Sequence, residues 1–252
     1  MAGHSKWANI KHKKAREDAK RGKVFTKVVK KISSAARRGG GDPETNPELR
    51  MYIQKAKDVN MPNDNIERAI LKATGQLEGV TYTDFSYEGY GPGGVAMFIE
   101  GSTDNKNRTV SNVRYAFTKN GGNLGNDGCV AWMFHDQGII VIEDSHVDDI
   151  DALMELALEN GASDLISEDG MVTLTTEYED FVNLRDALQV AGYEEFVTDE
   201  LTKVAETTVT PEFSDVKQTM RIIDVLEDDD DVENIYHNLD LSDEVAAALE
   251  AE

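Results

Sequence analysis

The chain has 252 residues, 40% of them hydrophobic, and a formal net charge of −22, enough apolar content for one large or two to three small domains. It has no run of about 18 apolar residues to span a membrane, and no apolar segment follows the basic opening stretch, as a secretory signal requires; the expected compartment is the cytoplasm. Cys129 is the only cysteine, which excludes an internal disulfide and a cysteine-built metal cluster within one chain.

Residues 9–21 carry a weak helical pattern with Gly22 as a joint. From Val24 onward Phe25, Val28, Val29, Ile32, Ala35 and Ala36 recur at helical spacing, cations fall between them, and Gly39, Gly40 and Gly41 stop the helix. Asn46 as N-cap and Pro47 in the first turn open a second helix, with Leu49, Tyr52, Ile53, Ala56 and Val59 as its buried face. Asp64 with Glu67 three residues on reads as a capping box for a third, built on Ile66, Ala69, Ile70 and Ala73 and closed near Gly75.

Beyond Thr81 the pattern changes. Residues 95–100 and 139–143 are short β-branched runs, and 129–134 is an apolar run after a Gly-rich turn. Helical patterns fall at 108–119, 148–160, 178–191 and 215–226. From 138 to 204 the order reads strand, helix, strand, strand, helix, strand, with 171–175 and 195–204 as the later strands, which is the split βαβ, ferredoxin-like order. The flanking pieces then build a second unit around it. The expected fold class is α+β: a basic, all-helical N-terminal domain over 1–78, and two α/β, ferredoxin-like domains interleaved in sequence, one discontinuous over 79–135 plus 206–252, the other inserted over 136–205.

The charge is sorted by position. Residues 1–72 hold 18 Lys/Arg against 8 Asp/Glu, a net of +10, which leaves 8 of the 26 cations and 40 of the 48 acids for the rest, a net of −32. Within 1–38 the cations are Lys6, Lys11, Lys13, Lys14, Arg16, Lys20, Arg21, Lys23, Lys27, Lys30, Lys31, Arg37 and Arg38, opposed by Glu17 and Asp18 alone. Such asymmetry points to a polyanion, gripped through phosphate contacts that weaken as salt rises. The competing reading is a solvated face, or an arm paired with the acidic body. That body repels phosphate within about 10 Å at 0.1 M salt, so nucleic acid is expected only at the helical end, leaving the acidic domains to solvent or a protein partner. Trp7, with His12 nearby, has the chemistry to stack on a splayed base, although packing on its own helices is the commoner fate of a tryptophan.

The run Tyr87-Glu88-Gly89-Tyr90-Gly91-Pro92-Gly93-Gly94 lacks the Gly-Lys-Ser/Thr of a P-loop and leads into Val95-Ala96. It is expected to be a tight turn between strands; the second reading makes Tyr87, Tyr90, Gly91, Pro92 and Gly93 a docking loop for a macromolecular partner. The acidic clusters at Asp148, Asp149 and Asp151 and at 228–231 have no His or Lys at catalytic spacing and sit at helix ends, where Asp at an N-terminus offsets the dipole. Cys129, in an apolar run, reads as a buried small side chain. No enzyme activity, cofactor, metal or small-molecule substrate is expected.

The opening Met1-Ala2-Gly3-His4-Ser5-Lys6-Trp7 with Ala19-Lys20-Arg21-Gly22-Lys23 resembles that of the YebC/PmpR family, which includes the mitochondrial translational activator of cytochrome oxidase subunit one. Residues 87–94, Asp104-Asn105-Lys106-Asn107-Arg108-Thr109 and 120–125 resemble its central signatures, and 224–238 its end. The resemblance covers essentially the whole chain. It implies three domains, no known catalytic residues, and nucleic-acid binding by the basic positions and Trp7 of 6–38. Two roles go with the family: a ribosome-associated factor that helps translation of difficult stretches, and a DNA-binding transcriptional regulator. The leading expectation is the first, because no helix shows the Arg, Asn and Gln set that reads base edges in a major groove; the second is the alternative, and an acidic protein-interaction module is a remote third.

Overall fold

The computed structural model describes residues 21–76 and 82–250. Its α+β architecture comprises, in this region, eight α-helices and two four-stranded antiparallel sheets.

The helices α1 (Arg21–Gly39), α2 (Pro47–Asp58) and α3 (Asn63–Ala73) pack together. The expected stripes are the buried ones: Ile32, Ala35 and Ala36 of α1 meet Leu49, Tyr52 and Ala56 of α2 and Ile66 and Ala69 of α3. Asn46 does more than cap. Its side-chain carbonyl accepts from Leu49 N, closing the start of α2, while its amide nitrogen donates to the carbonyls of Ala35 (3.0 Å) and Gly40 (2.9 Å) at the end of α1. Gly40 turns the chain at φ 86°, a conformation that glycine adopts without a Cβ penalty. The capping box at Asp64 does not form. Pro62, with φ −60°, sits in the cap position and α3 starts at Asn63 without a side-chain cap; Asp64 therefore lies inside the first turn, where its charge still meets the positive end of the helix.

Downstream come β1 (Thr83–Tyr90), β2 (Ala96–Thr103), α4 (Lys106–Lys119), β3 (Asn123–Leu124), β4 (Phe134–Glu143), α5 (Ile150–Glu159), β5 (Ala162–Glu168), β6 (Met171–Glu177), α6 (Phe181–Val190), β7 (Thr198–Ala205), α7 (Phe213–Glu227), β8 (Val232–His237) and α8 (Asp243–Glu250). The first sheet has the order β3-β1-β2-β8 and the second β5-β6-β4-β7. The second is the ferredoxin-like order, and all its strands come from the chain between β3 and α7 of the first. Apolar pattern alone does not mark β8 or α8.

Under the first sheet lie α4 and α7, with Met97, Ile99, Val113, Phe117, Val216 and Ile222 fully buried. In the second, Ile140, Ile142, Val172 and Leu174 meet Leu153, Phe181, Leu184 and Leu188 of α5 and α6, and this core is continuous with that of α1–α3. Gly138 allows the approach of α6: a Cβ there would lie 2.4 Å from the Phe181 ring. Where the sheets meet, Phe98 stacks between Phe134 (6.1 Å) and Tyr236 (6.2 Å).

Candidate nucleic-acid interface

Lys6, Trp7, Lys11, His12, Lys13, Lys14, Arg16 and Lys20 lie outside the described residues, and only the backbone of Arg21 and Lys23, in α1, is described. The other five cations of the expected arm have definite surroundings. Lys27, Lys30 and Lys31 are half-buried. Lys31 lies over the Tyr52 ring, 5.6 Å from its centroid, and with Lys27 lines a cleft of 190 Å³ shared with Glu200, Glu227 and Glu233. The Lys30 ammonium nitrogen is buried without a hydrogen-bond partner; burial pulls its pKa down, opposed by Glu233 and the aspartates 229–231. Arg37 pairs with Asp84 at 2.6 Å, and Arg38 pairs with Glu48 while donating to the Ser34 hydroxyl at 2.8 Å. Two of the five thus engage the molecule's own acids directly, and three turn toward the acidic body.

Outward-facing cations come instead from α2 and α3: Arg50, Lys57, Arg68 and Lys72 are exposed. They belong to the +10 of the front half but lie beyond the arm singled out by sequence. The signal that finds two of them is Arg68 and Lys72 at i, i+4, one face of α3. Lys55 of α2 points the other way: its ammonium donates to the Asp199 carbonyl and pairs with the Asp199 carboxylate at 2.9 Å, and Arg185 of α6 pairs with the same carboxylate at 2.7 Å. The cationic layer is thereby fastened to the second sheet.

The Gly-rich run is a turn joining β1 to β2, closed by Gly91 N donating to Val95 O at 2.7 Å, with Gly93 and Gly94 at φ 68° and 78°. It packs against the molecule itself: a Cβ on Gly93 would lie 2.5 Å from Pro211 and 3.2 Å from Asp215. Pro92 and Tyr87 are half-buried, and Tyr87 stacks on Phe85 at 4.9 Å. Tyr90 is exposed; its hydroxyl donates to Cys129 O at 3.1 Å, and the indole nitrogen of Trp132, 63% exposed, donates to the same carbonyl at 3.3 Å. Sequence did not mark Trp132, which shares an apolar run with buried Met133 and Phe134.

Acidic side chains in the body have structural duties. Buried Glu88 takes the backbone N–H groups of Gly128, Val130 and Ala131 at 2.6–2.8 Å, holding the loop that carries Cys129. Asp149 caps α5 by accepting from Asp151 N and Ala152 N. The 228–231 cluster, by contrast, follows the C-terminal end of α7, where no dipole favours it. Asp231 is buried there and accepts from Arg108, Thr109 and Thr103. Cys129 is half-buried and free, and burial together with Glu88 pushes its thiol pKa up, away from a reactive thiolate. Among the described residues no cluster of three His, Cys, Asp or Glu side chains is arranged to hold a metal, and no helix is long and apolar enough to cross a membrane.

Residues 5–76 match the model of the TACO1/YebC protein N-terminal domain, and residues 82–239 that of the TACO1/YebC second and third domain. A probable transcriptional regulatory protein of Halothermothrix orenii is 52% identical over 100% of both chains, and one of Natranaerobius thermophilus is 54% identical over 96% of this chain and 98% of its own. The crystal structure of a conserved hypothetical protein from Aquifex aeolicus superimposes with a TM-score of 0.79 at 39% identity, covering 90% of this chain and 93% of that one.

Proposed function

The chain belongs to the TACO1/YebC family, and from that premise we propose that it is a non-enzymatic, nucleic-acid-binding regulator of gene expression, acting foremost as a translation factor on ribosomal RNA. Its relatives' names support the general role, a regulator of gene expression. The observation that carries the finer reading is the sorting of charge, +10 in residues 1–72 against −32 in the remainder. Phosphate is attracted to one end and repelled elsewhere, so the contact surface comprises the cations from Lys6 to Lys23 with Trp7 and His12, continued by the exposed cations of α2 and α3.

RNA is favoured over duplex DNA by the placement of α1. It is 19 residues long, but its Lys27 and Lys31 line a cleft with Glu200, Glu227 and Glu233, so these two lysines are turned away from any major groove. A Lys-rich end needs only phosphate geometry, which folded RNA offers at any exposed backbone. The second reading, a DNA-binding transcriptional regulator, is favoured by the relatives' names. We take the chain as three domains, 1–78, 79–135 with 206–252, and 136–205, the acidic pair facing solvent or a protein partner in the cytoplasm. Tyr90 and Trp132, beside the Gly91–Gly93 turn, form the part of that pair best suited to docking, because exposed aromatic side chains are frequent interface anchors.

The test is sedimentation with ribosomes across a salt series, alongside competition between a preferred and a random duplex. Salt-reversible cosedimentation with indifference to duplex sequence supports the RNA reading. A protein that stays free at moderate salt, yet prefers one duplex by about 10³-fold or more, reverses the order of the two.

A further inference from the structure

Between α1, α3 and the end of β2 lies a cleft of 560 Å³, within the roughly 300–1,000 Å³ of small-molecule sites. Four cations line it, Lys30 and Arg37 from α1 and Arg68 and Lys72 from α3. Arg37 is committed to Asp84. Arg68 forms no ion pair with any described carboxylate, and it shares a face of α3 with the like-charged Lys72, an arrangement that is mildly unfavourable in an isolated helix. Lys30 adds a third charge to this wall: its ammonium is buried with no hydrogen-bond partner, which is expensive.

The remaining walls mix polar side chains, Thr26, Ser33, Asn65 and Ser102, with apolar ones. Val29, Ala69 and Ala73 line the cleft with the exposed Tyr82 ring, and Lys72 Nζ lies 4.8 Å from that ring's centroid. A cationic corner beside an aromatic face matches a phosphate joined to a base. The acid that acts most strongly on Lys30 is Glu233, held by the Ser102 hydroxyl at 2.7 Å. Burial pushes the Glu233 carboxyl up, and the aspartates 229–231 act on Lys30 in the same sense as Glu233.

We propose that this cleft binds one nucleotide unit, its phosphate held by Arg68 and Lys72 with the Lys30 charge beside them, and its base laid against Tyr82. The inference deepens the nucleic-acid reading by giving the described part of the front a definite ligand. Its source is either a free nucleotide or one unit of a single-stranded chain.

The test is titration of the full chain with ADP, with inorganic pyrophosphate and with a short labelled single-stranded oligoribonucleotide. The variants are Lys30→Met, Arg68→Glu with Lys72→Glu, Tyr82→Ala, and a control with the same charge change outside both the cleft and the proposed contact surface, Arg114→Glu with Arg221→Glu, both exposed in the acidic body. The expected result is at least a ten-fold loss of ADP or oligonucleotide affinity in the Arg68/Lys72 variant, a clear loss in Lys30→Met, a much smaller loss in the control, and no variant with a lowered melting temperature. Tyr82→Ala weakens the base-bearing ligand and leaves pyrophosphate untouched. Sensitivity of ADP identifies a free nucleotide; sensitivity of the oligonucleotide alone identifies a chain. If the oligonucleotide binds and neither the cleft variants nor ADP reveal a site, the cleft proposal falls while the nucleic-acid reading stands. If the oligonucleotide never binds but ADP binds through Arg68 and Lys72, the reverse holds. Equal losses in cleft and control variants, or indifference to Tyr82, overturn the assignment.

Discussion

Lys55 of α2 and Asp199 of β7 form a 2.9 Å ion pair across the boundary between the helical layer and the second sheet. Both side chains are largely buried, and Asp199 also holds Arg185, 8% exposed. Asp199→Ala leaves two sequestered cations without their counter-charge, a loss of about 3 kcal/mol by analogy with broken buried pairs. Chemical denaturation checks it. A change below about 1 kcal/mol would mean that water reaches Lys55 and Arg185 freely.

Asn46 joins two helices through three hydrogen bonds. Asn46→Ala is expected to cost about 2–3 kcal/mol, the sum of a lost cap and two unsatisfied carbonyls. Asn46→Asp separates the parts: it keeps the acceptor for Leu49 N but turns a carboxylate toward the Ala35 and Gly40 carbonyls, so it should rescue little. Full rescue by Asp in thermal melts would confine the role of Asn46 to capping.

Glu88 gives the molecule an acid limb. Burial acts to raise its pKa, but the three backbone N–H groups of Gly128, Val130 and Ala131 outweigh it and hold the carboxyl below its ordinary 4.5. The contribution to stability is therefore complete above the unfolded-state value and is lost as the pH falls through the lower folded-state value. Glu88→Gln should destabilise by about 2 kcal/mol at pH 7, and the gap should close in the acid range. A gap that stays constant to low pH would show that shape matters here and charge does not.

Binding should follow the front's charge. Replacing Lys11, Lys13 and Lys14 with Glu is expected to weaken nucleic-acid affinity by several kcal/mol while circular dichroism stays native. If each lysine neutralises one phosphate of a single strand, the slope of log K against log salt should fall by about 2. An unaltered slope would remove these lysines from the contact surface.

The elements with a buried face announced themselves. Ile32, Ala35 and Ala36 of α1, and Ile140, Ile142, Val172 and Leu174 of the second sheet, carry the periodicities that burial on one side imposes. β8, reading Val-Glu-Asn-Ile-Tyr-His, escaped because an edge strand beside a charged helix carries a mixed pattern. The site was legible as a charge imbalance but not as a surface. Whether a lysine faces solvent or a carboxylate depends on partners far along the chain: Arg37 meets Asp84, and Lys30 faces Glu233. Spacing within one helix carries no trace of either.

The two sheets are threaded so that β2 receives its second neighbour, β8, only after the whole of the other sheet has been laid down between them. During synthesis from the N-terminus, β2 therefore emerges with one side bare. The carboxylates surrounding Lys30, at 229–231 and 233, are translated near the end. A growing chain carries its cations ahead of their intramolecular counter-charges, and is at its most basic when it is least finished. Completion of the last strand is the event that shields part of that charge, which ties the molecule's exposed positive charge to its own folding order.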